Sequence, residues 1–147
     1  MEARNGNEWA KGLGVALVRW ALGLMFLVGG VSKLCGLTGF VTGYLAPAFA
    51  KTFLPVWMVM AYGYALPFVE TLVGVLLLVG CCRKFSLVVA GITLISLAFG
   101  QSLLQGFAIV ANIMLFILMT AAALFLQEYD WCGWPCCCGK GGERKAE

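Results

Sequence analysis

The chain has 147 residues, of which 62% are apolar and only 12% are charged, and its mean hydropathy is +0.94. A soluble domain usually carries about a quarter charged residues, so this chain has too few to cover a water-exposed surface. It contains no histidine, which excludes histidine-based haem, zinc and Ser-His-Asp sites. We therefore predict a small integral membrane protein whose surroundings are the lipid bilayer, with no nucleic-acid partner.

Four apolar stretches predict four transmembrane helices, because about 20 helical residues cross the hydrocarbon core of a bilayer. They cover residues 13–34, 54–82, 85–104 and 107–126. Long apolar runs without alternating polar residues satisfy their backbone in lipid only as helices, not as barrel strands. The predicted fold is an all-α, four-helix transmembrane bundle over residues 13–127. A short segment, 1–12, precedes it, and a Cys-rich and then charged tail, 128–147, follows it.

Positive charges are distributed unequally between the two ends of the predicted bundle. Seven lysines and arginines precede the first span, separate the second from the third, or follow the fourth. Only Lys33 and Lys51 fall at the opposite end. The positive-inside rule therefore predicts that both termini are cytoplasmic. The predicted location is the cell membrane, specifically the inner or plasma membrane of a prokaryote.

Two charged residues, Arg19 and Glu70, lie away from the ends of the first two spans, where charge is costly. Glu70 lies deep in the second span, and a carboxyl group at such a depth normally faces the bundle interior. Arg19, in the first span, lies in the same predicted half of the membrane, so we predict that the two side chains pair. The pair is either structural or a site for a proton or a quinone; a snorkelling Arg19 beside a protonated Glu70 is a further alternative. Lys33 ends the first span and is predicted to be an interface anchor.

The connection between the first two spans is the only one long enough to have a shape of its own. It carries Phe40, Tyr44 and Phe49 among several glycines. Aromatic residues at this spacing are typical of the headgroup level of a membrane. Two interpretations stay open: an interfacial loop or short helix on the bilayer, and a lid over a lipid or quinone pocket.

The seven cysteines do not form a recognisable cofactor motif. Under the predicted topology all except Cys35 face a reducing cytoplasm, so disulfides are not expected. Cys132 and Cys136 are weak candidates for metal ligands, because a structural site usually needs two separated ligand pairs. The sequence thus predicts no metal and no cofactor motif, and it leaves quinone and lipid open as ligands.

An ordered series of residues runs through the first two spans. It consists of Arg19, a G-x₂-K-L stretch that includes Lys33, then Glu70, the stretch G-x-L-L-L-x-G over residues 74–80, and Arg83. In this order the chain resembles the DoxX family of four-helix membrane proteins, over residues 18–126. The charged positions that carry over from the family are Arg19, Lys33 and Glu70.

The resemblance implies an accessory, non-catalytic subunit of a quinone-linked membrane redox or electron-transfer complex, bound to larger membrane subunits. An alternative is the membrane subunit of a thiosulfate or sulfide:quinone oxidoreductase, in which case the chain belongs to a quinone-dependent enzyme. A small transporter-like bundle is a further alternative. Its polar residues within the spans are few for a permeation path.

Overall fold

The computed structural model describes residues 6–80 and 82–126, which fold into a bundle of long helices. The helices are α1 (Gly6–Cys35), a π-helix (Gly39–Leu45), α2 (Ala46–Phe49), α3 (Val56–Val79), α4 (Arg83–Leu103) and α5 (Phe107–Leu126). Four of them, α1, α3, α4 and α5, are long and apolar enough to cross a membrane. The described residues contain no strand, so the predicted all-α fold with four spans is confirmed. The cytoplasmic location of both termini stays a prediction, and the tail 128–147 lies outside the described residues.

Short connections join α3 to α4 and α4 to α5. Helix α3 ends at Gly80, which has a φ of 75° and a left-handed conformation that favours glycine. The Gly80 N–H donates a hydrogen bond to the carbonyl oxygen of Leu76 over 2.9 Å. Gln105, between α4 and α5, also has a positive φ of 55°. Helix α4 begins soon after α3 ends, and α5 soon after α4 ends, and each of these consecutive pairs of helices lies side by side.

Helices α1 and α3 are antiparallel and approach each other closely at glycines. Gly23 lies against Gly74, and Gly30 lies against Thr71. A methyl carbon added at Gly74 would lie only 2.5 Å from the backbone nitrogen of Leu27. Small residues allow helix backbones to pack this closely in a membrane, where packing rather than water exclusion holds helices together. These contacts fix the register of α1 against α3.

The main core lies where the four long helices meet. Its buried apolar side chains come from all four helices and include Leu22, Val73, Leu87 and Ile113. Large apolar side chains also cover the outside of the bundle, as expected for a surface in contact with lipid. A second, smaller cluster at one end of the bundle joins the segment between α1 and α3 to the helices.

That segment, residues 39–49, is called the lid segment here. It consists of the π-helix followed directly by α2. The π-helix is rare and often marks functional sites. Leu45 and Phe49 are buried against Val59 of α3, and the rings of Phe40 and Tyr44 stack with their centroids 6.2 Å apart. The lid segment therefore packs on the end of the bundle where α1 ends and α3 begins.

Candidate functional site

An ion pair between α1 and α3 lies beneath the lid segment. The Nζ atom of Lys33 lies 2.7 Å from each of the two carboxylate oxygens of Glu70. The side chain of Glu70 is 5% exposed and that of Lys33 is 25% exposed. Nζ also lies 5.7 Å from the centroid of the Phe40 ring, within the range of a cation–π contact. Lys33 thus connects the buried carboxylate to the lid segment.

The partner of Glu70 differs from the one that the sequence predicted. Gly30 lies level with Thr71, which adjoins Glu70, and Lys33 is one helical turn further along α1. Arg19 lies eleven positions before Gly30, a distance of about 16 Å along a helix. The prediction placed the two spans level with each other, whereas Gly30 packs against Pro67 and Thr71, so the end of α1 lies beside the middle of α3. The pairing of Glu70 is therefore corrected from Arg19 to Lys33.

Arg19 is itself buried within α1, with 1% of its surface exposed. It lies in the half of the bundle away from the lid segment, in the same half as the turn between α3 and α4. Its burial agrees with the expectation that an arginine in a span faces the interior of the bundle. The structure thus separates two charged positions that the sequence analysis had joined into one site.

A cavity of about 320 Å³ lies between the lid segment and the helices α1, α3 and α4. Most of its wall is apolar or aromatic. These lining residues are Phe40, Leu45, Phe49, Leu54, Met58, Val59, Leu66, Leu97 and Phe99. A few polar residues also line it, and these are Lys33, Tyr44, Tyr62, Ser96 and Gln101. The lid segment thus forms one wall of a cavity, and its position relative to the membrane interface stays a prediction.

A pair of hydroxyl groups forms the polar part of the wall on α3 and α4. The Tyr62 and Ser96 oxygens lie 2.7 Å apart, and the Ser96 hydroxyl donates to the carbonyl oxygen of Thr93, also over 2.7 Å. Because a serine hydroxyl has one hydrogen, Tyr62 donates to Ser96 and its own oxygen keeps its lone pairs for a further donor. Sequence reasoning missed this pair. Two hydroxyl groups within otherwise apolar spans were the available signal.

The structure offers little support for a metal site in the part of the chain that it describes. Residues 6–80 and 82–126 contain no group of three or more histidine, cysteine, aspartate or glutamate side chains that could hold a metal ion. Cys35, at the end of α1, is an exposed thiol. The weak candidates Cys132 and Cys136 lie outside the described residues, so their assignment stays a prediction.

A known protein family matches the part of the chain that forms the site. The model of the family described as methylamine utilisation protein MauE matches residues 11–106, about two thirds of the chain. The chain belongs to the MauE family. The match spans α1 through α4 and the lid segment, and thus every lining residue of the cavity. No curated protein and no solved structure matches the chain.

Membership of the MauE family corrects the resemblance to DoxX that the sequence suggested. The motifs behind that resemblance consist mainly of glycine and leucine, which close helix packing and a lipid-facing surface require in any small transmembrane bundle. The MauE match and the four apolar helices identify the chain as an integral membrane protein.

Proposed function

We propose that this MauE-family protein is a small, non-catalytic accessory subunit of a quinone-linked redox system in the cell membrane. Its role in that system is to hold a quinone in the cavity beneath the lid segment. The family description concerns methylamine utilisation, and we assign the chain to that process. Larger membrane subunits are the proposed partners.

The cavity is the observation that carries this proposal. Sites for small molecules are concave and mostly apolar, and a few polar groups in them fix the orientation of the ligand. The cavity follows this pattern, with aromatic and aliphatic walls and polar groups at Lys33 and at the pair Tyr62 and Ser96. A quinone matches it, because its ring is apolar on both faces and its carbonyl oxygens accept hydrogen bonds.

The short connections between the helices support an accessory role. Residues 80–82 and 104–106 are the only links between α3, α4 and α5, so no separate catalytic domain is inserted there. Exposed apolar side chains cover much of the four spans and can contact lipid or other membrane subunits. Such a surface suits a subunit that binds larger membrane partners.

Quinone binding is the direct test. The full chain is purified in mild detergent and titrated with a decyl-substituted benzoquinone by calorimetry, and bound quinone is also extracted and quantified by mass spectrometry. We expect one quinone per chain. A purified, folded chain that neither retains nor takes up quinone would overturn the proposal.

A substitution that fills the cavity locates the binding site. The cavity is lined by Gly100, where a methyl carbon would lie 3.6 Å from the Phe49 ring, so Gly100→Leu places its larger side chain in the cavity. Gly14→Leu is the matched control, because Gly14 is exposed and nothing lies within 4 Å of an added methyl carbon. We expect Gly100→Leu to abolish quinone binding and Gly14→Leu to leave it unchanged. Equal binding by both variants would place the quinone elsewhere.

The accessory role has its own test. Extraction of native membranes in mild detergent, followed by sizing and mass spectrometry, identifies the proteins that migrate with the chain. Migration with a quinone-linked or cytochrome-containing complex is the expected result. Migration as a lone bundle or as a homo-oligomer would contradict the accessory role and leave quinone binding to be judged by the titration.

A further inference from the structure

We infer that the cavity selects a neutral ring headgroup with hydrogen-bond acceptors and rejects the anionic headgroup of a phospholipid. This inference rests on the proposed quinone site and specifies how that site chooses its ligand. Both kinds of molecule are amphiphiles of the bilayer, and both carry oxygen atoms that accept hydrogen bonds from a lysine. The charge and the hydrogen-bonding capacity of the wall distinguish them.

The charge of the wall is already balanced. Of the residues that the structure describes, Lys33 is the one charged side chain lining the cavity. Both carboxylate oxygens of Glu70 lie 2.7 Å from its ammonium group, so the pair has no net charge. A phosphate entering the cavity would have to compete with Glu70 for the ammonium group and would bring a second negative charge close to a buried carboxylate. Like charges in a poorly solvated site repel each other strongly.

The hydrogen-bonding capacity of the wall favours a neutral acceptor. A lysine ammonium group has three N–H donors, and the two oxygens of the Glu70 carboxylate, each 2.7 Å from Nζ, accept at most two of them. The third remains for a carbonyl oxygen, which gains a charge-assisted hydrogen bond without displacing Glu70. The Tyr62 oxygen presents lone pairs because its hydrogen is donated to Ser96. It can therefore accept a hydrogen bond from the hydroxyl group of a reduced quinone.

The size and the walls of the cavity favour a ring. A volume of about 320 Å³ is at the lower end of the range for small-molecule sites. It holds one substituted ring and the first carbons of a chain, but not two acyl chains. Aromatic rings of the lid segment, those of Phe40 and Phe49, form part of the wall and can stack with a flat headgroup.

The test compares two probes with the full chain in detergent: decyl-substituted benzoquinone and a short-chain phosphatidylglycerol. Two variants change the wall in defined ways. Glu70→Gln leaves the ammonium group with a net positive charge, and the double variant Lys33→Met with Glu70→Gln removes the ammonium group and leaves no unpaired charge. Lys51→Met is the matched control, since Lys51 is exposed and does not line the cavity.

We expect the wild-type chain to bind the quinone at least about tenfold more tightly than the phospholipid, the scale of one charge-assisted hydrogen bond. Glu70→Gln should strengthen phospholipid binding by about tenfold, because the repelling carboxylate is gone. The double variant should lose about tenfold in quinone binding. Lys51→Met should bind both probes like the wild type.

Equal binding of the two probes by the wild-type chain would overturn the inference, and this comparison requires no variant to fold. A double variant that binds quinone as tightly as the wild type would also overturn it, since the ammonium group would then contribute nothing. In both cases the proposed function stands, because quinone still binds. If the wild-type chain does not bind quinone, the proposed function is overturned and the inference with it.

Discussion

The close contact between α1 and α3 leads to a quantitative prediction for Gly74→Ala. The added methyl carbon would lie 2.5 Å from the Leu27 nitrogen, 2.8 Å from the Leu27 Cα atom and 3.0 Å from the Gly23 carbonyl oxygen. All three atoms belong to the backbone and cannot rotate away. Ordinary van der Waals contact for such a carbon begins at 3.4 Å, so the two helices must separate by about 0.9 Å.

The expected cost follows from this displacement. Forcing one extra methyl group into a well-packed contact destabilises a protein by about 1–3 kcal/mol. Gly29→Ala is the matched control, because Gly29 lies in α1, the partner helix of α3, and nothing lies within 4 Å of an added methyl carbon there. Both variants gain the same preference of alanine for a helix, up to about 1 kcal/mol. The difference in unfolding free energy between them therefore isolates the contact and should be about 1–3 kcal/mol.

Unfolding of both variants in mixed micelles with increasing dodecyl sulfate, followed by circular dichroism, measures this difference. We expect Gly29→Ala to unfold at or above the midpoint of the wild type and Gly74→Ala below it. Equal unfolding free energies for the two variants would refute the reasoning, because α1 and α3 would then not be in contact at Gly74.

Three further predictions concern the ion pair, a turn and the topology. Lys33→Met should destabilise the bundle by about 3 kcal/mol, because it leaves a buried carboxylate unpaired. Glu70→Gln should cost less, since the partly exposed Lys33 can extend towards water, and equal unfolding midpoints for the two variants would contradict this. Gly80→Ala should lower the unfolding free energy by about 1 kcal/mol, because its φ of 75° strains any other residue, whereas Gly36→Ala should not. With every other cysteine changed to serine, the exposed Cys35 should react with a membrane-impermeant maleimide added outside intact cells; labelling only after lysis would reverse the predicted topology.

The number and type of the spans could be predicted from the sequence because composition alone determines them. About 20 consecutive apolar residues have few alternatives to a transmembrane helix. The lid segment could be predicted from the sequence only in part. Its aromatic residues indicated the membrane interface, but the cavity beneath it depends on how Phe49 and Leu45 pack against α3, which no local pattern encodes.

The partner of Glu70 could not be predicted, because it depends on the register between two helices. One turn of register moves a side chain by about 5.4 Å, comparable to the reach of a lysine. The register is fixed by glycines, above all Gly30 and Gly74, whose role appears only when the opposite backbone is in place. The sequence analysis placed the two spans level with each other, whereas the contact of Gly30 with Thr71 displaces α1 along α3 and brings Lys33, not Arg19, beside Glu70.

The turn at residues 80–82 has a mechanical consequence for the cavity. It joins α3 to α4 at the end of the bundle opposite the lid segment, and Ser96 lies 13 residues beyond Arg83, about 20 Å along the helix. With this turn as a pivot, a tilt of about 3° between the two helices separates them by about 1 Å at the level of Ser96. The hydrogen bond from Tyr62, 2.7 Å long, would then be broken. Changes in bilayer thickness alter helix tilt, so the polar wall of the cavity is coupled to the thickness of the membrane around it.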